Sequence, residues 1–600
     1  MNDAEKITIT QVLDRAADAR PDAPAMCVKR DGEWVTTTWR EYREQARRAA
    51  RSFMKLGLTP GMGVSIIGFN CPQWFVADIG AILAGGVPAG IYTTNSPEQC
   101  QYIASHSDSV VAVVEDAEQL AKFKKVRSQL PDLKGIVLMY GSDGDDGVYS
   151  WDEFLALADD VPESELDARI AAQSPDDTCT LIYTSGTTGN PKAVMITHDN
   201  LTWTAAVTVG EVEKYERKMG MEPAEITAIS YLPLSHIAEQ MVSLHGPMSA
   251  KGCTYFAESV EKLGDNLREV RPTLFLGVPR VWEKIQEKIV AAASKNTGLK
   301  KKIGAWARKQ GLAGGYAEQD KRPKPMLFGL AEKLVFSKVR AQLGLDRSLL
   351  RVTSAAPISK DTLEFFLSLG VSIHEVYGMS ECTGPATISM PDRYRTAKAG
   401  WCFPGGELKI AADGEVCMRG RHVFKGYFKH EEATREALDA DGWLHSGDLG
   451  TIDEEGYLQI TGRKKELIIT AGGENIAPVA IEGLLQGIPV VSQAVVIGDS
   501  RKFLSALVTL DPAKVADAAR EAGSEATTVS EAAACAKFNA YMMAKVDEIN
   551  QQLARVQKVK KVTLVPTEFT IDGGELTPTM KLKRRVINEK YGPHIEAMYA

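Results

Sequence analysis

Between Tyr183 and Val194 the chain reads YTSGTTGNPKAV. Hydroxyls of Thr184, Ser185, Thr187 and Thr188 alternate with Gly186 and Gly189, and Lys192 follows. Glycine allows close approach of the backbone. Clustered backbone N–H groups form a concavity that binds anions. The hydroxyls add neutral donors and Lys192 a charge, an inventory that suits phosphate oxygens. The stretch is not the P-loop pattern: its glycine-to-lysine spacing differs, and no Ser or Thr follows Lys192. Taken alone it reads equally as a phosphate cradle or as an ordinary loop.

Further stretches could carry chemistry. EVYGMSECTGP, Glu375 to Pro385, ends a strand pattern at Gly378 and sets Glu381 three residues on. A carboxylate beside bound phosphates is a recipe for Mg²⁺, and Tyr377 offers a flat face to a base. In WLHSGDLG, Asp448 between two glycines could accept both hydroxyls of a ribose, or could simply sit in a turn. GRKKE with TAGGEN, and LTPTMKLKRRV with Lys581, complete the set.

Something must position these residues. Helical spacing in YREQARRAARSFMKLGL and FVADIGAILAGG alternates with β-branched runs in GVSIIGF, VPAGIY, SVVAVVE, GIVLMY and TCTLIY. Strands alternating with helices predict an α/β fold with parallel sheets covered on both faces. From Trp401 short strands with Gly and Asp turns predict a small β-rich subdomain. After GRKKE a compact α+β pattern runs to the C-terminus, so a boundary is expected near Gly462. RKK after a glycine reads as a hinge, which divides the chain into a large domain, 1–462, and a small domain, 463–600. A length of 600 residues fits more than one domain.

Composition sets limits. A net charge of −8 argues against nucleic acid as a partner. Nine cysteines with no C-x-x-C pair fit reduced thiols in a cytoplasm. The N-terminal residues lack the pattern of a secretory signal, and the most apolar run, Ile79 to Tyr92, falls short of a membrane span and contains a proline. The segment from Arg280 to Arg347 carries sixteen Lys or Arg against six Asp or Glu, a net of +10. It reads as a solvated excursion or as a peripheral contact with an anionic membrane at its inner face, through basic charge beside Trp306 and Phe336. The proposed charge cluster is Lys300, Lys301, Lys302, Arg308 and Lys309.

In this order, these stretches resemble the adenylate-forming superfamily of acyl-CoA synthetases, luciferases and peptide-synthetase adenylation domains. YTSGTTGNPKAV is the most specific of them; YGMSE, SGDLG, GRKKELIITAGGENI and PTMKLKRR support it. YGMSECTGP and LPLSH look most like long-chain fatty acyl-CoA synthetases of the bubblegum type. The resemblance implies activation of a long-chain fatty acid by ATP to an acyl-adenylate, then transfer to coenzyme A. Alternatives within reach are a ligase that loads a carrier protein, a CoA ligase for aryl or shorter acids, and a non-catalytic relative.

The resemblance also implies roles. Thr184 to Gly189 with Lys192 would cradle the β- and γ-phosphates, and Thr184 with Glu381 would hold Mg²⁺. Ser354, Ala355, Ala356, Pro357 and Tyr377 would flank adenine, Ser380 would meet the α-phosphate, and Gly378 and Met379 would belong to the same nucleotide site. Asp448 would bind the ribose, supported by Arg463. Lys581, rather than Lys583, would bridge carboxylate and α-phosphate, and His236 would face the acyl carboxylate. Lys465 would be the hinge, where many relatives have Asp, and Gly472 and Gly473 would line a pantetheine tunnel. Gln240 stands where some long-chain synthetases have a gating tryptophan.

Overall fold

A computed structural model describes residues 5–184, 190–221, 225–571, 573–577 and 581–600. Two large sheets carry the first two thirds of the chain. One has eight strands; its parallel centre is built from Gly63–Ile67, Val87–Ile91, Ser109–Val114, Gly135–Leu138 and Thr178–Thr184. The other has seven and is parallel from Pro24–Arg30 across to His374–Glu375.

The expected parallel sheets are in fact mixed. Thr178–Thr184 returns as Lys192–Thr197 in an antiparallel hairpin, Gly426–Tyr427 adds a second antiparallel edge, and Glu33–Thr38 folds back on Pro24–Arg30. For the two hairpin returns the cause is connection length: a parallel neighbour needs a crossover of a dozen or more residues, and these connections are shorter.

Local sequence explains the main helices. Thr38 and Glu41 form a capping box ahead of Trp39–Lys55, and Thr197 with Asn200 does the same for His198–Lys218. Trp39–Lys55 lies against the apolar helix Pro72–Leu83. Their buried faces, with Phe53 and Trp74, share one core with Val111, Ile196 and Phe256.

Past Trp401 a four-stranded antiparallel sheet forms from Glu407–Ile410, Glu415–Arg419, Leu444–Ile452 and Leu458–Arg463. Beyond Arg463 the chain builds cores of its own. Val491–Ile497, Leu504–Leu510 and Val559–Val565 form a three-stranded sheet, with Leu485, Leu504 and Phe538 buried on one side and Leu507, Phe569 and Ile587 on the other. An ion pair from Lys514 to Glu287 (3.0 Å) reaches from this unit to the helix Pro279–Ser294.

The basic segment is helical: Pro279–Ser294, Gly298–Gln319, and a run from Phe328 to Leu343 that passes through a π-helical turn at Glu332–Phe336. The expectation that Trp306 and Phe336 offer aromatic surface is corrected. Phe336 is fully buried with Ala307 and Ala331, and Trp306 packs against them. Helical periodicity marks an apolar face, and here that face turns towards its partner helix.

Candidate active site

The sequence-marked residues converge on one cleft of about 3730 Å³ between the large sheets, the four-stranded sheet and the C-terminal unit. Thr184 ends its strand and Lys192 opens the return, paired across the hairpin. Ser185, Gly186, Thr187, Thr188 and Gly189 lie outside the described residues. The Lys192 ammonium sits 4.9 Å from the centre of the Tyr427 ring. The Tyr427 hydroxyl in turn donates to Glu381 at 2.7 Å. Burial raises the Glu381 carboxyl above its ordinary value; the Tyr427 hydrogen bond and the Arg463 charge oppose this.

Tyr377 and Asp448 meet directly. The tyrosine hydroxyl donates to Oδ2 at 2.6 Å, and Arg463 Nε donates to Oδ1 at 2.9 Å. Asp448 and Arg463 are cross-strand partners, so the sheet register itself sets this pair. Gly378 is needed beside Tyr377: a Cβ there would lie 1.7 Å from the Gly384 carbonyl oxygen. Met379, Ser380 and the Ser354–Pro357 segment line the same wall. Within that segment Ala355 holds φ +73°, unusual for a residue with a side chain.

Lys581 enters the cleft from the C-terminal unit. Its backbone is held by Thr577, whose Oγ1 accepts the Lys581 N–H at 3.0 Å. A bridge between Leu576 and Leu582 and an N–H···O bond from Lys583 to Glu575 (2.7 Å) continue the support. Next along the chain, Arg584 forks onto the buried Glu482 at 2.7 and 2.5 Å. Desolvation and then the Arg463 charge lower the Lys581 ammonium below the usual lysine range, against the pull of Asp448, Glu381 and Glu466. The same ammonium acts on His236. Burial first, then Lys581, pushes that imidazole down to about 4. His236 Nδ1 accepts the Ala238 N–H at 3.1 Å. A neutral ring with Nδ1 accepting carries its proton on Nε2, as a donor.

Not every expected residue is here. Gly472 and Gly473 sit in an exposed turn between Ile468–Ile469 and Asn475–Ile476 and do not line the cleft. Gln240 is buried and ties its amide to Leu234 O at 2.9 Å, away from the lining.

Residues the motifs did not single out for a role also matter. Glu375 lines the cleft with Oε2 unpartnered, and burial pushes its carboxyl up to about 8. Glu415 accepts the Gly447 N–H at 2.8 Å, His445 Nδ1 at 3.1 Å and the Lys464 ammonium at 3.1 Å. It thereby braces both the turn before Asp448 and the residue before Lys465. Cys417 places its sulfur within 4.8 Å of ligand atoms of Glu415 and His445. Its thiol is pushed up to about 11 by burial and the Glu415 charge, and an ammonium already occupies the carboxylate, so the group reads as a hydrogen-bonded brace rather than a metal centre.

The cleft also continues as an apolar channel. Ala205, Val209 and Val212 of the helix His198–Lys218 face Ile226, Leu274 and Leu349. Val212, Ile226, Leu274 and Leu349 belong to one apolar cluster, which Leu232 and Val242 of the lining also join. These residues are scattered over the sequence, and no motif marks them.

Comparison with known proteins agrees with this geometry. A family model described as "AMP-binding enzyme" matches residues 13–428, and one described as "AMP-binding enzyme C-terminal domain" matches 465–600. The long-chain-fatty-acid–CoA ligase ACSBG2 of Xenopus laevis is 45% identical, covering 99% of this chain and 84% of that protein. Human ACSBG1, also a long-chain-fatty-acid–CoA ligase, is 41% identical over 99% of this chain and 85% of its own. Among solved structures, the anthranilate CoA ligase AuaEII in complex with anthranoyl-AMP superposes with a TM-score of 0.73 at 20% identity, covering 98% of each chain. ATP-bound MatB from Rhodopseudomonas palustris gives 0.70 at 21% identity, over 98% of this chain and 99% of its own. The two family models together span the large sheets, the Tyr377 wall and the unit that delivers Lys581, so this chain belongs to the AMP-binding enzyme family.

Proposed function

We propose that the protein is a long-chain fatty acid–CoA ligase that forms AMP. A carboxylate attacks the α-phosphorus of ATP, giving acyl-adenylate and pyrophosphate. The thiol of coenzyme A then attacks the acyl carbon and AMP leaves. The observation that carries this reading is one cleft joining a cationic, hydroxyl-lined end to an apolar channel. An apolar lining of this kind suits the hydrocarbon tail of a fatty acid, and the cationic end suits its carboxylate and the phosphates of ATP.

In this reading Asp448, with Arg463 and Tyr377, takes the ribose hydroxyls. Ser354 to Pro357 and Tyr377 bound the adenine, with Gly378, Met379 and Ser380 at the α-phosphate. Lys192, with the loop from Thr184 to Gly189, faces the β- and γ-phosphates. The carboxylate of Glu381 and the hydroxyl of Thr184 are hard oxygen donors that fit Mg²⁺, which would neutralise phosphate charge there. His236 donates from Nε2 to the substrate carboxylate. Lys581 lies between the two reacting groups, where negative charge gathers in the first step. Residues 1–462 then form the adenylating domain and 463–600 the domain that turns about Lys465. Gly472 and Gly473 belong to the second step, beside pantetheine.

The test is pyrophosphate release across saturated fatty acids of graded length, with and without coenzyme A. Turnover should peak at long chains and continue past one equivalent only with coenzyme A. A peak at acetate or an aromatic acid would overturn the substrate class. Turnover with a carrier protein but not with coenzyme A would overturn the acceptor.

A further inference from the structure

We infer that the outer face of the helix run from Phe328 to Leu343 is a docking surface for anionic lipid bilayer. Large apolar side chains exposed singly need no explanation, but these are clustered. Of fifteen such residues among the described ones, Met326, Leu327, Leu330 and Leu334 fall within nine positions. Met326 is 95% exposed. Leu327, Leu330 and Leu334 follow i, i+3, i+7 spacing, so they form one ridge along the helix. The opposite face is already filled: Phe328, Ala331 and Phe336 pack on the helix Gly298–Gln319. The ridge is therefore not a core face turned outward by misreading of the pattern; it is a second apolar face.

The occupant follows from charge. Lys321, Lys333 and Lys338 are exposed around the ridge, and Lys300, Lys301, Lys302 and Lys309 are exposed on the partner helix. Among the described residues these seven have no ion-pair partner. Arg308 is different: it donates to Ser368 at 3.0 Å and lies over the Phe365 ring. The surrounding segment is +10 in a chain of −8. An apolar ridge within an unpaired cationic surround matches lipid tails beneath anionic headgroups. A second copy of this chain would bring the same positive field against itself.

The surface also sits where it is useful. The same excursion supplies the helix Pro279–Ser294, whose Arg280, Glu287, Val290 and Ser294 line the cleft. Val339 and Leu343 of the run pack on the same buried cluster as Val281, Ile285 and Ile289 of that helix, which ties the face to an element of the cleft wall, and a fatty acid dissolved in the bilayer is the substrate of the proposed reaction. Only this purpose rests on the proposed reaction; binding itself needs no substrate.

The experiment is co-sedimentation of the full chain with phosphatidylcholine vesicles, with and without phosphatidylglycerol, at low and high salt. The wild-type protein should bind the anionic vesicles at low salt and release at high salt. L327Q/L330Q/L334Q should weaken binding at least tenfold. K321Q/K333Q/K338Q should weaken it about a hundredfold, at about fivefold per lysine. Both variants alter exposed residues, and their thermal midpoints and thioester formation from detergent-dispersed fatty acid should match wild type. Wild-type protein that ignores anionic vesicles at low salt overturns the proposal, as does an apolar variant that binds normally. A concentration-dependent dimer abolished by L330Q, with no vesicle binding, also overturns it and assigns the face to a second copy. A protein that binds vesicles but activates no fatty acid keeps this inference and loses the proposed reaction.

Discussion

Replacing Lys581 by alanine removes a cation that the C-terminal unit brings to the point where carboxylate and α-phosphate would meet. A unit charge about 4 Å from a phosphoryl oxygen, at an effective dielectric of about 20, is worth about 4 kcal/mol. With tenfold in rate per ~1.4 kcal/mol, adenylation should fall by about 10³. Arg463 is close enough to lower the lysine's own proton affinity. It stays behind in the variant and offsets part of the loss, so about 10² is the lower bound. Pyrophosphate release measures this step. Thioester formation from supplied acyl-adenylate measures the other and should change only a few-fold. The lysine also sets a pH limit. Because its ammonium is held below the ordinary range, it deprotonates earlier as pH rises, and adenylation should decline on that alkaline limb. Arginine stays charged there, so Lys581→Arg should move the limb upward even if the plateau drops. Equal losses in both half-reactions, or an alkaline limb indifferent to arginine, would refute the assignment.

Three further outcomes are expected. Glu381→Gln should raise the Mg²⁺ concentration needed for half-maximal adenylation, with the thermal midpoint near wild type; normal Mg²⁺ dependence would mean that the metal is held elsewhere. Lys465→Pro should leave adenylate formation largely intact and block thioester formation, because proline fixes φ at the pivot; thioester made at the normal rate would place the pivot elsewhere. Asp78, 1% exposed and with Oδ1 unpartnered, has its carboxyl pushed up to about 8 by burial. The unfolded chain releases this proton near pH 4, so the favourable contribution is full below that pH and is lost as pH rises to about 8. Asp78→Asn should therefore stabilise the fold by a few kcal/mol at pH 8.5 and by little at pH 4; equal effects in urea titrations at both pH values would contradict this.

What was legible in the sequence is the part that is local. The strand that ends at Thr184, the turn at Ser380–Cys382 and the Gly-flanked Asp448 each arise within short stretches whose residue types reflect their geometry. What was not legible depends on packing between distant segments. The channel draws on the helix His198–Lys218 and on strands near 226, 274 and 350, each contributing ordinary core residues. Glu375 reads as a strand carboxylate; only its burial without a partner for Oε2 marks it. Glu482 reads as a helix-surface acid, yet it anchors the segment that presents Lys581. Phe336 and Leu334 are both apolar residues of one helix, and periodicity alone does not say which of two apolar faces meets a partner. The parallel sheets became mixed for the related reason that hairpin returns depend on loop length and edge pairing, not on strand composition.

The arrangement of the C-terminal unit bears on the order of the two proposed steps. Lys581 lies in the cleft while Gly472 and Gly473 lie in an exposed turn outside it. One rigid placement serves the first group and not the second. The unit's apolar cores are its own, with buried clusters around Leu504 and Leu507 that do not merge with the core around Val111. Its ion pair to the rest of the chain, Lys514 with Glu287, is partly exposed, and such pairs are worth about 1 kcal/mol or less. Leaving this placement therefore costs little hydrophobic burial. What stays fixed is the approach to the pivot. Lys464 is clamped by Asp413 at 2.6 Å and Glu415 at 3.1 Å, so the proposed pivot at Lys465 directly follows an anchored residue. Glu415 also holds the turn that presents Asp448, so a rotation starting at Lys465 would leave the proposed ribose contact in place while Lys581 withdraws. A nucleotide bound through the adenylate would then remain seated as the face that activated it is exchanged for the face that carries the thiol.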